Sequence, residues 1–212
     1  TQSGAEVAYK IISQDALSNV AAVSRAEREI KQLMRVRSPK VATIIDCGKG
    51  PDERLYVAME LCEGHSLEHL LRGGAVTLDK AKAIVGQIGQ ALLEAQKVGV
   101  VHRDVAPKNV LIATSGDVKV INFAVAKPIS DKVAGVAAYL SPEQAQGRPV
   151  DQRSNTYSLA AILYHLLTGE PPFQGSSPEA VLDLHVSSPP LAPSQRRPEA
   201  NLSPEVDRVI LK

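Results

Sequence analysis

The hydrophobic pattern of this 212-residue chain changes period near Gly64, and that change commits it to an architecture with two unlike halves. Before Gly64, residues 7–12, 41–45 and 55–59 are short β-branched runs bounded by Gly, Pro or Asp, which predicts strands. Between the first two, Val23, Ala26, Ile30, Leu33 and Met34 recur at helical spacing within 20–37, with charges opposite. After Gly64 the pattern is mostly helical. Thr77 caps a helix with an inner stripe of Ala81, Ile84, Val85, Ile88 and Leu92 that ends near Gly99. Short strands follow at 100–101, 110–113 and 118–121, the last two joined by a turn at Ser115, Gly116 and Asp117. A loop over 128–142 leads to a helix at 154–167 that is apolar nearly all round and so belongs at the centre of the larger half. Ser177-Pro178-Glu179 and Ser203-Pro204-Glu205 are helix starts, and 187–198 is a Pro-rich surface connection.

Composition excludes some classes of function. With 44% hydrophobic and 22% charged residues the chain can bury a sizeable core. Net charge is +1 with Lys and Arg spread along the sequence, which argues against nucleic acid as the main partner. No apolar run approaches the roughly 18 residues that cross a bilayer, and no signal peptide opens the chain. Cys47 and Cys62 sit in separate hydrophobic segments without metal-ligand spacing, so free buried thiols in a reducing cytoplasm are expected. The chain opens on a polar Thr-Gln-Ser-Gly turn and ends inside a helical pattern at 206–212, as an excerpt of a longer, intracellular protein would.

The most informative segment is Val101-His102-Arg103-Asp104-Val105-Ala106-Pro107-Lys108-Asn109-Val110-Leu111-Ile112. Chemistry gives a reason for its spacing: Asp104 can accept or orient the proton of an incoming hydroxyl. The Asn109 amide oxygen, five residues on, can reach a metal held on nucleotide phosphates. The segment resembles the catalytic loop of protein kinases, and other stretches follow in that family's order. Val7-Ala8-Tyr9-Lys10 resembles the strand whose Lys holds the α- and β-phosphates, and Glu29 on the next helix stands at the distance to pair with Lys10. Residues 56–61 with Cys62-Glu63-Gly64 resemble the connector between lobes, Val120-Ile121-Asn122-Phe123-Ala124 the D-F-G segment, and Gly135 to Glu143 the end of the activation loop.

The wording of these motifs is similar to that of bacterial Ser/Thr protein kinases. The resemblance implies an α+β, bilobal fold with a small β-rich N-lobe over 1–62, its first strands absent, and a larger helical C-lobe over 63–212. It implies ATP bound by Ala8, Lys10, Glu29, Met59, Glu60, Cys62 and Leu111, with Met59 bordering the adenine and the backbones of Glu60 and Cys62 bonding it. Mg²⁺ would be held by Asn109 and Asn122, Asp104 and Lys108 would be the catalytic pair, and the other partner would be a protein partner or substrate. His102 reads as a structural loop histidine rather than a base. Arg103 would grip an activation-loop phosphate, a switch lacking its Thr because Val136 stands there.

The sequence departs from the family at several points. Asn122 replaces the aspartate that ligates Mg²⁺, and removing one full charge from such a site costs on the order of 10²–10³ in rate. Asn155 replaces the aspartate that braces the catalytic loop. Ala106 stands where Ser/Thr kinases usually have a Lys, and Lys108, two positions on, is a partial substitute. These departures imply a domain that binds ATP with weakened or no metal dependence and acts as a pseudokinase in signalling or scaffolding. The alternative is an active or weakly active Ser/Thr kinase.

Overall fold

The computed structural model describes residues 6–12, 20–52, 54–123 and 134–212. The opening Thr-Gln-Ser-Gly turn, Ala124 and the 128–133 part of the expected loop lie outside them. In the N-terminal half, β1 (Val7–Ile11), α1 (Val20–Leu33), β2 (Ile44–Lys49) and β3 (Leu55–Glu60) form a sheet with a helix against it. The strand order is β1-β3-β2, antiparallel, with Ala8 opposite Met59 and Lys10 opposite Val57. Leu55, Val57 and Met59 alternate inward and are buried, as are Ala26, Ile30 and Leu33 on the facing stripe of α1. On the outer face Tyr9 stacks on Tyr56, ring centroids 5.2 Å apart.

Two expectations shift here. The helix ends at Leu33 rather than 37, because Arg37 Nη1 donates to Met34 O (2.7 Å) and closes the last turn. The strand expected at 41–45 lies at Ile44–Lys49 instead. Val41 and Ala42 are apolar because they leave the sheet to meet the other lobe: Val41 bridges Val120, and Ala42 N donates to Val120 O (3.0 Å).

Gly64 begins the second lobe. Its φ is +123°, and a Cβ there would lie 2.4 Å from Ile112 O, so only glycine lets the chain pass under the second sheet. That sheet pairs β4 (His65–Ser66), β5 (Val110–Ile112) and β6 (Val118–Val120), followed in space by α2 (Leu67–Leu71) and α3 (Leu78–Lys97). β4 and α2 are too short to show a period and were not expected. The expected strand at 100–101 does not form; those residues lead into the loop that carries His102 to Asn109, with Val100 N donating back to Ala95 O (3.0 Å). The hairpin joins Ile112 to Val118 through Gly116, at φ +85°.

Beyond it lie α4 (Ala134–Ala137), α5 (Pro142–Ala145), α6 (Gln152–Thr168), α7 (Pro178–Ser187), α8 (Pro193–Arg196) and α9 (Pro204–Ile210). Thr77, Ser141, Asp151 and Ser177 cap α3, α5, α6 and α7 with their side chains, whereas Ser203 heads α9 without a cap bond to the backbone. α6 begins at Gln152, two residues before the apolar run, because Asp151 supplies the cap. Its residues Ala161, Ile162, Tyr164, Leu166 and Leu167 are buried, and it packs on α3 at the centre of the lobe. One continuous core runs from Ile30 and Val57 through Leu67, Ile88 and Val120 to Ile162. No helix among the described residues is long and apolar enough to cross a membrane.

Candidate active site

The loop from Val100 to Asn109 is held at its main chain by the helical lobe. Gln152 Nε2 donates to Val100 O (2.9 Å), and Gln144 Nε2 to Arg103 O (2.8 Å). Asn155 Oδ1 accepts from Arg103 N (3.3 Å) while its amide nitrogen donates to Gln152 Oε1 (2.9 Å). These contacts hold Arg103 at φ 66°, a left-handed conformation unfavourable for a residue with a long side chain. Gln144 was not foreseen. The sign of it in the sequence is the capping-box spacing Ser141-x-x-Gln144, which places that amide in the first turn of α5.

His102 is wholly buried and tilted against Phe123, with ring centroids 4.4 Å apart. Its Nδ1 accepts from Asp104 N (3.2 Å), so its Nε2 carries the hydrogen given to Ile121 O (3.0 Å). Burial holds its pKa well below the ordinary histidine value, so the ring is a neutral strut between the loop and the Ile121–Phe123 segment. This agrees with the structural role expected of it.

Asp104, Lys108, Asn109, Asn122 and Lys10 converge. Asn109 Nδ2 donates to Asp104 O (2.8 Å) and to Asp104 Oδ2 (3.1 Å). Lys108 Nζ stands 3.7 Å from Oδ2 of the same carboxylate. The other oxygen, Asp104 Oδ1, is buried and has no hydrogen-bond partner, so it is open to a donor from a bound molecule. Asn122, at φ 65°, spans the rest of the site: its Nδ2 donates to Asn109 Oδ1 (2.9 Å) and its Oδ1 accepts from Lys10 Nζ (3.0 Å). Left-handed backbone is tolerated better by Asn than by most residues.

The pairing expected between Lys10 and Glu29 is replaced by a different one. The Glu29 carboxylate is held by the guanidinium of Arg103, with Nη1 at 2.6 Å from Oε2 and Nη2 at 2.8 Å from Oε1. A fork-shaped guanidinium matches both carboxylate oxygens at once, which a lysine ammonium cannot do. Glu29 is 8% exposed, so the pair is largely sheltered from water. Sequence spacing placed Glu29 on the right face of α1 but could not decide which of two cations it meets.

Of the residues expected at the base, Ala8 and Met59 oppose each other across β1 and β3, and Leu111 lies on β5 of the other lobe. The Glu60 side chain binds Lys119 Nζ (2.7 Å) and accepts from Thr43 N (2.7 Å). Burial pushes its pKa up, but these two bonds outweigh burial and hold it below the usual carboxylate range. Cys62 Sγ donates to Glu60 O at 3.6 Å, a weak bond that a stronger donor can displace. Both cysteines are free, and both are half-buried rather than fully buried.

The Lys10 amine offers a cation to a phosphorylated ligand, and the buried orphan oxygen of Asp104 offers an acceptor to a hydroxyl or a ligand to a cation. For Mg²⁺ the expected donors, Asn109 Oδ1 and Asn122 Oδ1, each already accept a hydrogen bond. No group of three His, Cys, Asp or Glu side chains suited to a metal occurs among the described residues.

Two lobes joined by a short connector, with a carboxylate and an amide on one loop facing a strand lysine across the cleft, define a protein-kinase domain. Residues 1–210 match the protein kinase domain family, and the chain belongs to it. It is 37% identical over 220 residues to serine/threonine-protein kinase PknB of Mycolicibacterium smegmatis, covering 98% of this chain and 35% of that protein. It is 37% identical over 225 residues to the probable serine/threonine-protein kinase SCO3848 of Streptomyces coelicolor, covering 100% of this chain and 33% of that one. The fold superposes on the PknI kinase domain of Mycobacterium tuberculosis with a TM-score of 0.75 at 26% identity, over 96% of this chain and 76% of that one. The chain is thus a kinase domain of the bacterial Ser/Thr type, spanning about a third of the length of the curated relatives it matches. Members of this family use ATP with Mg²⁺.

Proposed function

We propose that this domain binds ATP through Lys10 and the connector but is impaired in phosphoryl transfer, and serves in signalling as a pseudokinase or scaffold module. The observation that carries the reading is the bond from Asn122 Nδ2 to Asn109 Oδ1. An amide hydrogen stands where a metal-binding aspartate would direct a cation, and a carboxylate at 122 could not make that bond. Mg²⁺ favours carboxylate and water oxygens, and its entry here has to break an internal hydrogen bond without gaining a negative ligand. Bound ATP supplies a phosphoryl group; the chain's own part is to orient phosphates with Lys10 and to hold an acceptor hydroxyl at Asp104 Oδ1. The two half-buried free thiols suit a reducing, cytoplasmic setting.

A second reading, an active or weakly active Ser/Thr kinase, is favoured by one specific observation. Asp104 Oδ1 is buried, unpartnered and able to accept a hydroxyl proton, and Lys108 near Oδ2 supplies positive charge close to the transferred group. An open groove of about 690 Å³ beside Leu71, Tyr139, His165, Glu170, Phe173 and Val181 offers room for a protein segment on either reading.

Calorimetry of ATP binding with and without Mg²⁺, paired with transfer to a generic protein substrate, separates them. The pseudokinase reading expects ATP binding that changes little with Mg²⁺, no transfer, and a gain of transfer in Asn122→Asp. Transfer by the wild-type chain that Asp104→Ala abolishes overturns it in favour of the second reading.

A further inference from the structure

The solvent face of α1 carries charge that the site does not use. Between residues 25 and 37 stand Arg25, Arg28, Lys31, Arg35 and Arg37 against Glu27 and Glu29, a net +3 in a chain whose total is +1. Glu29 is turned inward onto Arg103, so the outer face holds five cations and one carboxylate. Glu27 is engaged by Lys31 at 3.4 Å. Arg37 is accounted for by the carbonyls it caps, at Met34 and Val36. Arg25, Arg28 and Arg35 are exposed and meet no carboxylate among the described residues.

Ser24, Glu27, Arg28, Lys31, Gln32 and Arg35 line an open groove of about 340 Å³ along the helix. Ser24, Arg28 and Lys31 recur at helical spacing and share one face of α1, and Arg35, in the turn that closes the helix, lines the same groove. A row of this length, on the order of 10 Å, matches about three residues of extended chain, so carboxylates projecting from one side of an extended segment reach successive cations of the row. We propose that this face docks an acidic protein segment, an extended stretch carrying several Asp or Glu side chains.

Charge complementarity alone fits other polyanions, and the composition of the face discriminates among them. Adsorption to anionic lipid uses apolar side chains that insert beside the cations, and among the described residues none of the exposed large hydrophobic side chains lies on α1. Single-stranded nucleic acid is held by aromatic side chains that stack on its bases, and α1 contains no Phe, Tyr or Trp. A peptide needs neither. The inward face of the same helix carries Glu29, which engages Arg103. Docking of this kind is independent of whether the domain transfers phosphate.

The test is fluorescence anisotropy with a labelled peptide of alternating Asp and Gly, against an Asn/Gly counterpart, at low and high salt. The triple variant Arg28→Glu/Lys31→Glu/Arg35→Glu is compared with Lys97→Glu/Arg153→Glu, which removes the same type of charge elsewhere. The wild-type chain and the control bind the acidic peptide alike, with affinity falling as salt rises. The triple variant binds at least about tenfold more weakly. Thermal melting checks that it is folded, and the neutral Arg28→Gln/Lys31→Gln/Arg35→Gln variant is expected to give the same loss if charge reversal unfolds the helix. Equal binding by the Gln variant, no binding by the wild-type chain, or tighter binding of phosphatidylserine vesicles or oligodeoxythymidine through the same residues each overturns the proposal.

Discussion

At the scale of single residues, the two asparagines that the resemblance sets at aspartate positions are integrated at both ends of their amides. Asn155 accepts from Arg103 and donates to Gln152; Asn122 accepts from Lys10 and donates to Asn109. Asn109 cannot turn its amide to welcome a carboxylate at 122 without losing its own bond to Asp104 O. In Asn122→Asp, two oxygens therefore face each other across a gap that only a cation fills. The expected outcome is a thermal midpoint that rises with Mg²⁺ by about 2–4 °C, the equivalent of about 1 kcal/mol in a chain of this size. The wild-type midpoint should be indifferent to Mg²⁺, and a wild-type rise as large as the variant's would sink the argument. His185 permits a separate test. It is 4% exposed, its Nδ1 is hydrogen-bonded to Tyr157 Oη (2.7 Å), its Nε2 has no partner, and burial pushes its pKa down to about 4. An unfolded histidine titrates near 6.5, so the unfolded chain takes up this proton first as pH falls. Stability from this group is complete above about pH 6.5 and is lost progressively down to about pH 4, by at most about 3 kcal/mol. His102, also held neutral by burial, adds in the same direction. Urea midpoints between pH 7.5 and 4.5 should fall less steeply in His185→Gln than in the wild type; parallel slopes would show that His185 does not contribute.

At the scale of elements, α1 is positioned by one ion pair that crosses from the N-lobe to the catalytic loop. Glu29 is 11% and Arg103 26% exposed at their side chains, so each has given up much of its hydration for the other. Removing one partner leaves the other buried and unpaired. Arg103→Ala is expected to cost about 3 kcal/mol, and Arg103→Ala in a Glu29→Gln background distinctly less. A double-mutant cycle by urea denaturation measures the difference, and additive costs would mean that the pair does not hold the helix. The elements were legible from the sequence where a period had room to repeat. α3 and α6 run long enough for their apolar stripes to be unambiguous, and Thr77 and Ser177 cap as their spacing indicates. β4 and α2 are two and five residues long, below the length at which any period can be read. Val41 and Val100 misled for another reason: each is apolar because it is buried between elements, at the lobe junction or under the catalytic loop, and not because it belongs to a strand.

At the scale of the whole molecule, the residues of the site were legible but their partners were not. The order of motifs along the chain picked out Lys10, Asp104, Asn109 and Asn122, and the structure brings all four together. Whether Glu29 meets Lys10 or Arg103 depends on how α1 sits over the second lobe, and that is set by packing at a distance in sequence that no local pattern records. The same packing joins the two lobes through a shared core. Val41 and Ala42 join the edge of the second sheet, and Glu60 reaches Lys119. Lys40 Nζ donates to Gln87 Oε1 (2.6 Å) and pairs with Asp117 at 2.8 Å. The core beneath them is continuous from Ile30 to Ile162. Lys40→Met removes the bonds to α3 and to the β5–β6 turn while leaving the core and the aliphatic stem in place. Hydrogen bonds to charged groups contribute about 1.5–3 kcal/mol, so the variant should melt several degrees lower. Because the core is shared, the melt should remain a single transition, and amide exchange in β1–β3 should accelerate together with that in β5 and β6. A second transition, or faster exchange confined to β1–β3, would mean that the lobes unfold separately and that their junction is a hinge rather than a common core.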